Sequence, residues 1–217
     1  MPVVVMISGS GTNLQAILDA SAAGAIPVRV AAVLSDVPGA FGLERARQAG
    51  VPAECLPAAD FDDRAAFDRA LGRRLEQLSP GLVVLAGFMR ILSAPLVRQW
   101  AGRMLNIHPS LLPAYRGLHT HRRVLEAGEP QHGTSVHFVT EELDGGPLIA
   151  QARLDIGAED TETSLNRRIQ ALEHRLYPQV IGWFGAGRLR LGDAGVELDG
   201  ETLTAPVIRE EAELLRL

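Results

Sequence analysis

The chain is 217 residues long, with 21 basic and 26 acidic side chains, a formal net charge of −5 and 47% hydrophobic residues, the composition of an ordinary globular domain. Every basic residue is arginine, which excludes a Schiff-base lysine, a pyridoxal-phosphate anchor and the lysine of an ATP-binding P-loop; the single cysteine, Cys55, excludes an internal disulfide, a multi-cysteine zinc site and an iron–sulfur cluster. Net acidity and a 5% aromatic content argue against nucleic-acid binding and base stacking, and no apolar run approaches the ~20 residues of a membrane span.

Val3 to Ile7 is a short β-branched run of the kind buried on both faces of a sheet. No basic leader precedes it, so a secretory signal is not expected and a cytoplasmic setting is. Ser8-Gly9-Ser10-Gly11-Thr12-Asn13 breaks the chain, and Leu14 to Leu18 restarts it with helical spacing. Val28 to Leu34 reads as a strand, Phe41 to Ala49 as a helix closed by Gly50, and Ala53 to Leu56 as a weak strand. Asp62 and Asp63 open a helix through Leu78 with the apolar stripe Ala66, Phe67, Ala70, Leu71, Leu75 and Leu78. Leu82 to Ala86 is a further apolar strand. Strands alternating with helices predict βαβ units and an α/β fold with a mainly parallel central sheet.

Between Gly87 and Pro147 the pattern loosens, and the segment carries His108, His119, His121, His132 and His137. Gly133 to Thr140 and Leu148 to Ile156 read as strands. A helix from about Thr163 to Trp183 places Leu165, Ile169, Leu172, Leu176 and Val180 on one side, and Leu198 to Leu203 reads as a hairpin turn.

Four segments carry chemistry. The Ser8–Asn13 loop, between a strand and a helix start, offers free amides and a helix dipole to an anion. Leu14 stands where a dinucleotide fingerprint wants glycine or alanine, so a phosphate monoester fits better; the bland alternative is a glycine turn packing strand on helix. In Leu105-Asn106-Ile107-His108-Pro109, period two puts Asn106 and His108 on one face, an amide for a developing oxyanion beside an imidazole for a proton. Glu141 to Pro147 is an acidic loop that offers a carboxylate to hold an imidazole protonated and oriented, or is an ordinary Asp-Gly turn; spacing alone does not bring it beside His108. Gly87 to Leu92 follows a strand's carboxyl end, where open α/β sheets bind ligands, and its apolar residues with Arg90 suit a flat anionic heterocycle. His119, His121 and His132 lack a cysteine partner and read as backbone-bonded, so no metal is expected. Cys55 reads as a small buried hydrophobe.

These segments together closely resemble the phosphoribosylglycinamide formyltransferase family, folate-dependent enzymes of purine synthesis. The matching stretches are Ile7 to Ile17, Phe41 to Ala46, Val83 to Leu92, Leu105 to Pro113, Gly117 to His121, His132 to Val139 and Asp144 to Pro147, and the likeness runs to about Gly187. It implies a Rossmann-like formyltransferase fold with helices on both faces of the sheet. It implies one domain over 1–217: a phosphate-binding half over 1–100, a catalytic and folate-binding half over 101–190, and a hairpin or tail over 191–217. It also implies transfer of the formyl group of 10-formyltetrahydrofolate, a co-substrate, to the amine of glycinamide ribonucleotide. Asn106, His108 and Asp144 would be catalytic, and Gly11, Thr12, Asn13 and Glu173 would hold phosphate and ribose. Arg64, Met89, Arg90, Ile91, Leu92 and Asn106 would line the folate site. A homodimer is compatible with the likeness; nucleic acid, membrane and metal are not implied. Ser10 and Thr12 depart from the asparagine or glycine and serine common in relatives but keep polar donors, and Ala114 replaces a basic residue found in some. The alternative is a formyltetrahydrofolate hydrolase, which shares the asparagine–histidine–aspartate set.

Overall fold

The computed structural model describes residues 1–216. Its central element is an eight-stranded sheet. β1 (Pro2–Ile7), α1 (Thr12–Ala22), β2 (Arg29–Ser35), α2 (Phe41–Gln48), β3 (Ala53–Cys55), α3 (Arg64–Leu78) and β4 (Leu82–Leu85) form the first βαβ units. They are followed by α4 (Ala94–Gln99), β5 (Met104–His108), α5 (Thr120–Glu126), β6 (Gln131–Phe138), β7 (Leu148–Asp155) and α6 (Glu162–Gly185). The spatial order is β3, β2, β1, β4, β5, β6 and β7, with a last strand beyond β7. β1 pairs parallel with both β2 and β4, while β6 runs antiparallel to its two neighbours.

Strand period sets the two halves of the core. Along β1, Val3, Val5 and Ile7 turn to the side packed by α1, α2 and α6, and Val4 and Met6 turn to the side packed by α3 and α4. All five are fully buried, as a strand covered on both faces requires. The expected stripe of α6 is likewise inside, and Tyr177 on that helix sets its phenol oxygen 2.9 and 3.0 Å from the Leu85 and Leu105 carbonyls. The helix thereby grips the carboxyl end of β4 and the start of β5.

Strand order reverses between β1 and β4, so the loops leaving these strands diverge and open a crevice. Ser8 N–H donates to the Gly87 carbonyl across it. Both loops that the sequence marked as ligand-bearing start here.

The carboxyl-terminal segment contains the hairpin turn expected at Leu198 to Leu203 and adds further strands around it. β8 (Leu189–Gly192), β9 (Gly195–Leu198) and β10 (Glu201–Thr202) make a small antiparallel sheet, with the turn at Asp199 and Gly200, whose φ values are 55° and 86°. The chain then returns, and β11 (Val207–Glu210) pairs parallel with β7, leading into α7 (Glu211–Leu214). Arg153 and Arg168 hold it through Glu210 and Glu211 at 2.6 and 2.8 Å. A four-residue strand has no periodicity to read; its place is set by the open edge of β7, which it covers. α4 and α5 also lacked a signal, each being shorter than two and a half turns. Cys55 is half-buried on the edge strand β3, not fully inside.

Candidate active site

Two clefts meet at the carboxyl ends of β1, β4 and β5. The larger, about 470 Å³, is lined by Met89, Arg90, Ile91 and Leu92 on one wall and by the segment from Val139 to Asp144 on another. The smaller, about 330 Å³, runs along Ser8 to Asn13 to Asn166, Gln170 and Glu173 on α6. Gly87, Met89, Ile107, Pro109 and His121 border both.

The smaller cleft is built on close backbone contact. Gly11 has φ 71°, and a side chain there would bring Cβ within 2.7 Å of the Gly42 Cα; Gly42 N–H donates to Gly9 O at 3.1 Å. That contact explains why Gly42, at the start of α2, belongs to the same pattern as the Ser8–Asn13 loop. Gly11 caps α1 without a side-chain bond and no acidic residue occupies the first turn, so the amides and dipole there face the cleft. Arg45 braces the loop from outside through Ser10 O at 2.8 Å. No arginine lines this cleft among the described residues, which leaves amides and hydroxyls as its anion-binding groups. Asn13 Nδ2 donates to Glu173 Oε2 at 2.8 Å while its Oδ1 is buried without a partner among the described residues, an acceptor awaiting a donor. Burial pushes the Glu173 carboxyl up to about 7, against the opposing effect of its bonds with Asn13 and Thr134.

At the junction, β5 delivers Asn106 and His108 on one face, and the loop after β6 brings Asp144 to them. Asp144 has φ 48°; its Oδ2 accepts from Gly117 N–H at 2.9 Å and lies 3.5 Å from His108 Nδ1. The next turn admits only glycine at 146, where a Cβ would sit 1.8 Å from the Phe138 carbonyl. His108 Nε2 lies 3.0 Å from the Tyr115 carbonyl. Both ring nitrogens therefore face oxygen acceptors. The imidazole is nearly buried, as is the Asp144 carboxylate.

Asn106 is oriented by His137. The His137 Nδ1–H donates to Phe138 O at 2.9 Å, which leaves Nε2 to accept from Asn106 Nδ2 at 3.2 Å. Burial lowers the pKa of His137 and supports this neutral form. The second amide proton of Asn106 is then free to point into the cleft that Asn106 lines.

The structure thus brings together Asn106, His108 and Asp144, places Gly11, Thr12, Asn13 and Glu173 in one cleft, and sets Met89 to Leu92 in the other. Arg64 stands outside both linings, its Nη2 donating to the Leu92 carbonyl at 2.6 Å; it supports that wall. Arg90 stacks over the Phe67 ring, 4.8 Å from its centroid, and faces Asp36 at 4.0 Å. Sequence reading named Ser8 only as the start of its loop and passed over Asp36, yet together they join the two loops: Ser8 Oγ donates to Asp36 Oδ1 at 2.6 Å and accepts from Met89 N–H at 2.8 Å. Nothing in their spacing signals it. His121 and His132 touch through Nδ1 and Nε2 at 2.9 Å, with His132 lowered to about 4 chiefly by burial. Among the described residues no three His, Cys, Asp or Glu side chains converge as metal ligands, and no helix is long and apolar enough to cross a membrane.

Comparison with known proteins adds three findings. The formyl transferase family model matches residues 1–181. The chain is 55% identical over 203 residues to a phosphoribosylglycinamide formyltransferase of Escherichia coli K12, covering 94% of this chain and 96% of that one, and 47% identical over 201 residues to its Haemophilus influenzae counterpart, covering 93% and 95%. Among solved structures, a phosphoribosylglycinamide formyltransferase of Coxiella burnetii in complex with CHES superposes with a TM-score of 0.92 at 49% identity, covering 96% of this chain and 98% of that one.

Proposed function

The chain belongs to the formyl transferase family, and on that premise we propose that it is the enzyme that moves the formyl group of 10-formyltetrahydrofolate onto the primary amine of 5'-phosphoribosylglycinamide in de novo purine biosynthesis. The observation that carries this reading is the placement of Asn106, His108 and Asp144 in the lining of an apolar cleft, beside Ile107 and Pro109, which also border a polar, amide-lined one. One cleft fits a flat heterocycle with an apolar body: exposed Met89, Ile91, Leu118 and Leu143 border it. The other ends on the amides of Gly11, Thr12 and Asn13, which suit a phosphate, with Glu173 and the unpartnered Asn13 Oδ1 placed for sugar hydroxyls.

The folate supplies an activated formyl group and a nitrogen leaving group. The protein's part is to align the amine, stabilise charge and move one proton. As the amine adds to the formyl carbon, negative charge builds on its oxygen, and the free Asn106 amide proton and cationic His108 are the donors for it. The departing nitrogen must take a proton and the attacking one must lose one: His108 gives its Nδ1 proton to the departing nitrogen, since Nε2 is committed to the Tyr115 carbonyl, and recovers a proton from the attacking nitrogen, directly or through water. Asp144 favours the charged imidazole by its own charge. An amine nucleophile requires no covalent enzyme intermediate.

The deciding experiment follows folate-product absorbance from 10-formyltetrahydrofolate with and without glycinamide ribonucleotide. Turnover that depends on the amine is expected. Equal turnover without it would make the protein a hydrolase, and no turnover in either mixture would overturn the reading.

Glu173 gives a second test with a definite sign. With its carboxyl near 7, it is protonated at lower pH and takes up its full charge only above neutrality, so the KM for glycinamide ribonucleotide should fall as pH rises through 7. In Glu173→Gln this component should vanish, leaving the ionisation of the phosphate itself near ~6. Stability should move the other way. The folded state holds this proton more tightly than the unfolded chain, whose carboxyl titrates at about 4.3, so wild-type stability declines between those values as pH rises. Thermal melts at pH 5 and pH 8 should find the variant gaining Tm on wild type at the higher pH.

A further inference from the structure

Three side chains in register across adjacent strands lie beneath the reaction centre: His108 on β5 pairs with Ser135 on β6, which pairs with Gln151 on β7. Ser135 and Gln151 line neither cleft. Ser135 is fully buried and Gln151 is 8% exposed, flanked by the fully buried Ala150 and Ala152. An apolar side chain would serve the sheet there at less cost, because a buried amide or hydroxyl is unfavourable unless it is bonded.

Their bonds go to the loop after β5. Ser135 Oγ donates to Ser110 O at 2.6 Å and accepts from Leu112 N–H at 3.0 Å. Gln151 Nε2 donates to Leu112 O at 2.8 Å and to Ser135 Oγ at 2.9 Å. The buried Ser110 hydroxyl passes the constraint on, donating to Ala114 O at 2.7 Å. The next residue is Tyr115, held at φ 56°, whose carbonyl faces His108 Nε2. The loop leaves β5 at His108, is pinned on β6 and β7, and returns a carbonyl to the imidazole it left.

We propose that Gln151 and Ser135 are positioning residues for formyl transfer: their bonds to Ser110 and Leu112 fix the Tyr115 carbonyl, which locks the His108 ring with Nδ1 toward Asp144 and the reacting atoms. Without the lock the ring can rotate, and the charged form loses an acceptor. The inference rests on the proton-donor role given to His108 above.

The test compares Gln151→Met and Ser135→Ala with wild type. Each variant is expected to lose about 10–100-fold in kcat, the scale of a small misplacement of a catalytic group. KM for both substrates should stay within about 2-fold, because neither residue reaches a cleft. The alkaline limb of the kcat profile should move to lower pH, because a cation with one acceptor fewer gives up its proton more readily. A lowered Tm with unchanged kcat and pH profile would reduce both residues to a structural role and overturn the proposal. Should a variant fail to fold, ¹⁵N-resolved imidazole spectra of the wild-type protein, with His108 assigned by its absence in His108→Ala, keep the question open to decision: a proton on Nε2 is expected, and a bare Nε2 at neutral pH overturns it. The two readings separate cleanly, since a wild-type protein that transfers no formyl group would refute the proposed function while the spectra still report the lock.

Discussion

His108→Ala is expected to lower kcat by about 10²–10⁴-fold, the range for loss of a proton-transfer group, with little change in KM for either substrate. The imidazole lines the larger cleft and faces a carboxylate, with Nδ1 3.5 Å from Asp144 Oδ2. Its removal takes away both the proton for the departing nitrogen and one of the two donors for the developing oxyanion, interactions made chiefly in the transition state, and such losses fall on kcat. The effect on folding should be small by comparison, because the backbone at His108 is held independently. Its carbonyl accepts from Thr134 Oγ1 at 2.9 Å and from Ser110 N–H at 2.9 Å, and its strand pairs with β6. Circular dichroism and a thermal melt establish that the variant is folded, and steady-state kinetics then decide. A folded variant with wild-type kcat would falsify the assignment of His108 as the proton donor.

How much of this was legible in the sequence depends on how local each cause is. Val3 to Ile7 and Leu82 to Ala86 announce themselves as inner strands, because burial on both faces leaves an unbroken apolar run. The stripe of α3 is visible because helical spacing repeats it, though Asp68 on that helix is also buried and accepts from Ser93 N–H at 2.7 Å. The Ser8–Asn13 loop is legible through its glycines, and the pairing of Asn106 with His108 through strand period. What joins Asp144 to His108 is not local: it needs the antiparallel turn of β6 and a left-handed residue at 144, neither of which spacing encodes. Resemblance supplied that link; physical reading of the residues left it open.

The remaining silent features share a cause. The Tyr115 carbonyl, the Ser135 hydroxyl and the Gln151 amide work through backbone partners, and a backbone partner has no residue identity to recognise. A serine and a glutamine inside strands look like ordinary polar positions until the register places them in one row under His108. The same holds for β11, whose place is dictated by the uncovered edge of β7 and not by its own residues.

Asp144→Asn should be nearly as damaging as loss of the histidine, and its pH dependence should identify the reason. The left-handed backbone at 144 is one that asparagine tolerates, and the amide oxygen can still accept from Gly117 N–H, so the loop has cause to keep its shape. What changes is the partner of His108 Nδ1. Oδ2 serves both Gly117 N–H and His108 Nδ1, so an amide oxygen kept there still accepts but carries no charge to hold the ring protonated, and the neutral ring with its only proton on Nε2, bonded to Tyr115 O, gains population. The imidazole then has no proton to give from the nitrogen that faces the reaction. A loss of about 10²–10⁴-fold in kcat near neutral pH follows on the same general-acid scale. Lowering the pH recharges the ring, so the ratio of wild-type to variant kcat should shrink from pH 8 to pH 5.5. Protonation of the substrate amine depresses both enzymes alike in that range and cancels in the ratio. A ratio that stays constant across the range would mean that Asp144 acts by holding the loop rather than by charging His108.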